Sequence, residues 1–166
     1  MMGIFLKFGF TLKTGIFSIT LGALIVITVI DIEHQIIPDR ITLPGILFGL
    51  MAGIYLNGLR PTFIGLFLGT SLFYILAVVS RGGMGGGDIK FIAAVGALLG
   101  WQQVILIIFL SAFMGSLVGL IALAGKRLST LSRIPFGPFL AVGTLVAYFS
   151  GEQIIHLYIM MVTGGY

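Results

Sequence analysis

The chain contains no cysteine and very little charge. None of its 166 residues is a cysteine, and 8% are charged, against about 25% in an average soluble domain. The first absence excludes disulfides, thiolate-bound zinc and a cysteine nucleophile. The second excludes an ordinary soluble fold, because 58% of the residues are hydrophobic and only lipid can cover so much apolar surface. The composition predicts an integral membrane protein with a single domain over residues 1–166.

The charge distribution and the absence of two ligand-binding motifs restrict the classes of function that the chain can have. The net charge of +4 is spread over the loops between apolar segments, so nucleic acid is not an expected partner and the lipid bilayer is. The two histidines, His34 and His156, lack the spacing of a metal-binding pair. No GK[ST] follows the glycine-rich segment at 81–88, which argues against phosphate binding. We therefore expect no metal and no cofactor.

The apolar segments predict an all-α fold with about six transmembrane helices. The run from Ile16 to Ile30 ends in Asp31 and the polar EHQ, not in a small-residue cleavage site, so the first span is expected to stay uncleaved. The second and fourth spans fall short of the ~20 residues that cross a bilayer comfortably. The predicted spans are Thr14–Ile32, Ile41–Leu56, Thr62–Ser80, Asp88–Gln102, Val104–Gly125 and Phe136–Phe149, followed by an apolar tail from Ile154 to Val162.

Glycines recur at intervals of four residues within these spans. This spacing places small residues on one helix face, which is typical of closely packed membrane helices, so we predict a structural role for them. They are Gly45, Gly49 and Gly53; Gly65 and Gly69; Gly96 and Gly100; and Gly115 and Gly119.

The basic residues predict the orientation in the membrane. Six of them fall in one set of loops and three on the other side, so the first set is expected to face the cytoplasm. The larger set is Arg40, Arg81, Lys90, Lys126, Arg127 and Arg133; the smaller is Lys7, Lys13 and Arg60. Asp31 and Asp88 are separated by an even number of crossings, so both are expected at the cytoplasmic membrane edge.

These two aspartates are the strongest indication of chemistry. There are only five acidic residues, and Asp31 and Asp88 each lie where a long apolar run meets a polar loop; RGGMGGGD leads into Asp88. A carboxylate at the edge of hydrocarbon is costly, which marks a functional site. Two carboxyls that lie close together cannot both ionise, so one can act as a base and the other as an acid. This arrangement would hydrolyse a peptide bond without a metal.

Other interpretations of the same residues are open at this point. Intramembrane acids also relay protons in small transporters or ion pathways, although transport sites cluster near the midplane of the bilayer. The glycine motifs are equally compatible with a non-enzymatic membrane scaffold. Asp39 follows Pro38 and precedes a span, so we predict that it caps the second helix and has no catalytic role.

Three sequence blocks, in order, resemble the type IV prepilin peptidases, a family of membrane aspartyl proteases. They are DIEHQIIPD at 31–39, the GxGD motif of Gly85, Gly86, Gly87 and Asp88 followed by Ile89 and Lys90, and IPFGPFLAVG at 134–143. The resemblance implies that Asp31 and Asp88 are catalytic. It also implies a multi-pass protein of the bacterial inner membrane with its active site facing the cytoplasm. The expected partners are prepilins or pseudopilins of type IV pili and type II secretion, which carry a short basic leader and a hydrophobic N-terminal helix.

One feature departs from many members of that family. These have an additional N-terminal region with paired cysteines, associated with methylation of the new amino terminus. The chain has no cysteine and lacks this region, so methyltransferase activity is not expected. Nothing in the pattern indicates an oligomeric state.

Overall fold

The computed structural model describes residues 12–80, 84–124 and 135–163. The regular structure of these residues is entirely helical. Arg81, Lys126, Arg127 and Arg133, which contribute to the predicted orientation, lie outside them, as do Lys7 and most of the glycine-rich approach to Met84. The helices are α1 (Leu12–His34), α2 (Asp39–Asn57), α3 (Leu59–Val79), α4 (Gly86–Leu99), α5 (Trp101–Ala124) and α6 (Gly137–Thr163).

All of these helices except α4 are long and apolar enough to cross a membrane. Large apolar side chains cover their outer surfaces; Phe67 is 62% exposed and Phe109 is 68% exposed. Helices suit this environment because they satisfy their backbone polar groups internally, where no water is present to do so. The prediction of an all-α, multi-pass membrane protein is confirmed. Helix α4 has only 14 residues, in agreement with the short fourth segment expected from the sequence.

The first five predicted spans begin and end within three residues of the observed helices, and two differences have a local structural reason. The fourth segment ends at Leu99, and Trp101 already begins α5, because Gly100 between them has a φ of +86° that breaks the helix. The sixth span and the apolar tail form one continuous helix, α6. The intervening SGEQ does not interrupt it: Glu and Gln are good helix formers, and the glycine, Gly151, packs directly against Gln103 of α5.

The glycines of α2, α3 and α4 hold these helices in backbone contact, as their spacing predicts. A Cβ added at Gly49 would collide with the carbonyl oxygen of Ala94 in α4, and one at Gly53 would collide with that of Ala97. Helix α3 approaches α4 in the same way, since a Cβ at Gly65 would collide with the carbonyl oxygen of Gly96. Small residues allow this approach, so α4 is fixed tightly between α2 and α3.

The core lies around α4 and the adjoining faces of the other helices. Helix α1 packs against α6 through Phe17, whose ring centre is 4.3 Å from that of Tyr148. Phe136, immediately before α6, packs against α3, where its ring centre is 6.1 Å from that of Phe73. The least exposed large residues of this core are Phe17, Phe73, Ile92, Val104, Ile107 and Leu140.

Four helix ends meet at one end of the bundle. Asp39, the first residue of α2, forms an ion pair with Lys90 of α4, with Nζ 2.6 Å from each carboxylate oxygen. Gly87 of α4 contacts Ile37 in the segment that joins α1 to α2. The N–H of Gly137, which begins α6, reaches Asp31 near the end of α1. These contacts bring together residues 31–39, 85–90 and 135–143, which belong to the three sequence blocks.

The prediction that Asp39 caps α2 is wrong. Pro38 occupies the cap position in an extended conformation, and no side chain caps the helix. Asp39 is already the first helical residue, so its side chain is free to turn outward to the ammonium group of Lys90.

Candidate active site

Asp31 is buried close to the end of α1. It is 5% exposed and lies one helical turn beyond Ile27, so both side chains point into the bundle. The Gly137 N–H donates a hydrogen bond of 2.8 Å to its Oδ2. The first N–H groups of a helix have no acceptor within the helix. Asp31 therefore provides the acceptor for the first N–H group of α6. The helix dipole of α6 adds a positive potential at the same point.

Asp88 is the third residue of α4 and is 9% exposed. Its side chain turns back over the start of its own helix, where Oδ2 accepts a hydrogen bond of 3.3 Å from the N–H of Gly85. Its backbone N–H in turn donates to the carbonyl oxygen of Gly85, at 3.1 Å. This reciprocal contact fixes the first turn of α4 and the position of the carboxyl. The prediction that Asp88 lies at a helix N-terminus is confirmed.

The three glycines before Asp88 have different surroundings. Gly85 is extended, with φ of −74° and ψ of 143°, and precedes the helix. A Cβ added at Gly86 would meet nothing within 4 Å. At Gly87 the same atom would lie 2.7 Å from Cβ of Ile37 and 2.8 Å from its carbonyl oxygen. The absence of a side chain at Gly87 therefore allows the start of α4 to approach the segment that follows Asp31.

The two carboxyls interact electrostatically. Asp88 lies outside the five membrane-crossing helices, and burial raises its pKa to about 6 from an ordinary 3.8, with a further contribution from the negative charge of Asp31 and an opposing one from the Gly85 N–H. The structure thus brings together the two aspartates that the sequence singles out. A pair of this kind retains one proton at a pH where isolated carboxyls would have lost theirs.

The structure also adds two contacts that the sequence analysis did not assign. The backbone of Gly137, within the IPFGPF block, binds Asp31. Lys90 pairs with Asp39 and joins the starts of α2 and α4 two residues beyond Asp88. Both residues belong to the motif blocks, so the signal was present in the sequence. Their partners lie too far away along the chain to be deduced from spacing.

The surroundings of the pair offer no metal-ligand cluster. Within residues 12–80, 84–124 and 135–163, no three histidine, cysteine or acidic side chains converge as ion ligands. At the pair, this part of the chain presents two carboxyls to a reacting bond, and each carboxyl accepts a hydrogen bond from a backbone N–H. Such a set can activate water, donate a proton and hydrogen-bond an oxygen.

Comparison with known proteins agrees with this chemistry. The model of the type IV leader peptidase family matches residues 16–120, which include both aspartates and the GxGD motif. The chain belongs to this family. Its relatives include proteins named prepilin leader peptidase/N-methyltransferase from Legionella pneumophila, 35% identical over 161 residues, and from Bacillus subtilis, 35% identical over 162 residues.

These relatives are longer than the chain. The Legionella protein aligns over 92% of this chain and 55% of its own length, and the Bacillus protein over 96% and 65% respectively. The chain thus spans a little over half the length of the leader peptidases it matches. No solved structure matches it.

Proposed function

We propose that this protein is a membrane aspartyl endopeptidase that removes the short basic leader from type IV prepilins or pseudopilins. The observation that carries the proposal is the pair of buried carboxyls, Asp31 and Asp88, at one end of the bundle, where the charge of the first helps to raise the pKa of the second to about 6. Membership of the leader peptidase family supports the substrate class. Residues 1–166 would form a single membrane-embedded peptidase domain.

In the proposed mechanism the pair shares one proton. The ionised carboxyl, Asp31, takes a proton from a water molecule, whose oxygen forms a bond to the carbonyl carbon of the scissile peptide. Asp88, whose pKa is raised to about 6, donates its proton to the carbonyl oxygen. The tetrahedral intermediate then collapses: one of its hydroxyl groups returns a proton to Asp88 as the C=O bond re-forms, the C–N bond breaks, and the nitrogen receives the proton that Asp31 took from water. Asp31 is then ionised and Asp88 protonated again, so the pair finishes with the one proton it began with.

The arrangement favours this function over the two alternatives that the sequence leaves open. Asp31 and Asp88 lie at the same end of the bundle, where α1 ends and α4 begins, whereas transport sites lie near the midplane of the bilayer. A scaffold would gain nothing from two interacting buried carboxyls, which lower stability. Neither alternative accounts for the N–H donors that meet both carboxyls.

The location and orientation follow from the same proposal. We infer an inner-membrane protein of a bacterium with the two aspartates at the cytoplasmic face, supported by the basic residues Arg40 and Lys90 at that end. The partners would be the prepilin or pseudopilin substrate and the surrounding lipid. Methyl transfer is left out of the proposal, because the match to the relatives covers only about half of their length.

Leader removal can be tested with purified protein in detergent and a candidate prepilin. The intact protein should produce a new amino terminus, detected by mass spectrometry. Asp31→Asn and Asp88→Asn should each lower the rate at least about a hundredfold, since general acid–base catalysis commonly contributes that much. Cleavage should persist in EDTA, because the mechanism uses no metal. Full activity of either aspartate variant would contradict the proposal.

The orientation has a separate test that uses the lack of cysteine. Single cysteines replacing Ile36, next to the aspartate end, and Leu59, at the opposite end of α2 and α3, would both lie at strongly exposed positions. In intact cells an impermeant thiol reagent should label the Leu59→Cys protein only. Labelling of Ile36→Cys from outside would place the active site on the wrong face for a cytoplasmic leader.

A further inference from the structure

An apolar cleft of about 360 Å³ lies between α1 and α2, with α4 forming its floor. Its lining is hydrocarbon except for two threonines and one arginine, and the threonine hydroxyls are already bonded to carbonyl oxygens of residues 16 and 38. Ile19 on its rim is 60% exposed, so the cleft opens to the surface of the bundle. A cleft of this kind is suited to apolar side chains and unsuited to water or ions.

The two aspartates lie one helical turn beyond the residues that line the cleft. On α1, its lining residue Ile27 lies four positions before Asp31; on α4, its lining residue Phe91 lies three positions after Asp88. Residues three or four apart share a helix face, so the same faces that line the cleft continue into the carboxyls. Arg40, in the first turn of α2, marks the end of the cleft that is nearest to the site.

We propose that this cleft is the docking site for the apolar helix that follows the scissile bond of the substrate. The inference rests on the proposed function and specifies how that site selects its substrates. A peptide bond held between Asp31 and Asp88 has its downstream residues at the mouth of the cleft. An apolar segment leaving that point inside a bilayer must be helical, because its backbone has no other partners there.

The size of the cleft defines what it holds. A helix with side chains is about 10 Å across, so a cavity of 360 Å³ accommodates the side chains along one face and leaves the rest of the helix in lipid. The cleft therefore selects for apolar residues on one helix face and contributes binding energy for the substrate helix. A phospholipid chain also suits an apolar cleft, but the direct continuation into both carboxyls favours the substrate.

The test compares two substrates and two enzyme variants. One substrate carries the leader and the complete apolar helix; the other is a peptide that ends a few residues after the scissile bond. Ala23→Phe fills the cleft from α1, and Ala112→Phe makes the same change on the exposed face of α5. We expect Ala23→Phe to raise KM for the long substrate about tenfold with kcat unchanged, as removal of uniform binding does. Cleavage of the short peptide, and both activities of Ala112→Phe, should stay at the level of the unmodified protein.

A crosslinking measurement is independent of the effect of Ala23→Phe on folding. In an Asp88→Asn background, which retains bound substrate, Ile19→Cys should form a disulfide with a cysteine in the first turns of the substrate helix, and Ala112→Cys should not. No crosslink, or a long substrate that Ala23→Phe cleaves normally, would overturn the inference and leave a lipid as the occupant. If the unmodified protein cleaved neither substrate, the proposed function itself would fail, which is a distinct result.

Discussion

Two sides of α4 are packed in opposite ways. Toward α2 and α3, which together with α4 form the packed half of the molecule, glycines place helix backbones in direct contact. Toward α1, the open side, a cleft of about 360 Å³ separates the helices. The glycines of α1 itself, Gly15 and Gly22, have space around them, since a Cβ added at either would meet no neighbouring atom within 4 Å.

The difference shows how the two aspartates are supported. Asp88 starts a helix that is locked on both flanks by α2 and α3, so it has a fixed position. Asp31 belongs to α1, which is held chiefly by α6 through Phe17 and by the hydrogen bond from Gly137. One buried carboxyl on a tightly packed helix, and another on a helix that borders a cleft, suit an enzyme that must admit a second helix beside its active site.

The largest effect on stability is expected from adding a methyl group to a glycine in the packed half. Gly53→Ala places a methyl group against the carbonyl oxygen of Ala97, so α2 and α4 must separate. We expect a loss of about 3 kcal/mol in the free energy of unfolding, the upper end of what overpacking usually costs. Gly22→Ala on the open side is the matched control and should be neutral or slightly stabilising. Thermal unfolding of both variants in detergent measures this difference in stability. Equal stability of the two variants would contradict the difference in packing between the two sides of α4.

A somewhat smaller effect is expected from the buried carboxyl of the packed half. The pKa of Asp88 is about 6 in the folded protein against 3.8 ordinarily, so the folded state binds protons more tightly and stability falls as pH rises between these values. Asp88→Asn removes this cost and should raise stability at pH 7 by on the order of 2 kcal/mol. The gain should disappear below about pH 4. A pH-independent gain, or none, would show that Asp88 is not held protonated by its surroundings.

The hydrogen bond to Asp31 provides the next comparison. In Gly137→Ala, the added Cβ would lie 2.8 Å from Oδ2 of Asp31, so the carboxyl must move away from the N–H of residue 137. We expect a fall of about tenfold in kcat, comparable with the loss of one good hydrogen bond to a charged group. Gly86→Ala, at a glycine with open space around it, should retain activity. Cleavage assays on both variants test this, and equal rates would mean that the N–H of Gly137 does not position Asp31.

The smallest effect is expected from the exposed ion pair of Asp39 and Lys90. Both side chains are substantially solvent-accessible, at 56% and 38%, and exposed pairs contribute about 0–1 kcal/mol. Asp39→Asn should therefore lower the free energy of unfolding by no more than about 1 kcal/mol. The rate of leader cleavage should change by no more than about twofold. A loss as large as that of Asp31→Asn would assign Asp39 a catalytic role that its position does not support.

The helices and their membrane environment could be predicted from the sequence, because hydropathy locates the membrane-crossing segments. The proximity of Asp31 and Asp88 could also be predicted, because an even number of crossings places both residues at the same face of the membrane. It could not predict contacts that depend on packing between distant segments. Asp31 and Gly137 are 106 residues apart, and Asp39 and Lys90 are 51 apart. The partner of Asp39 was misassigned for this reason. The cleft was missed because it arises where α1 and α2 fail to pack closely, which apolar composition alone does not reveal.

The pH dependence of leader cleavage tests the central claim, that Asp31 and Asp88 act as a pair sharing one proton. Rates would be measured on one fixed prepilin substrate in detergent, with folding checked at each pH. The pair predicts a bell-shaped profile of kcat/KM, whose descending limb reports the loss of the Asp88 proton near a pKa of about 6. The limb in kcat should lie at higher pH, because bound substrate buries the pair further. A rate that rises steadily into alkaline pH without a descending limb would contradict the shared proton.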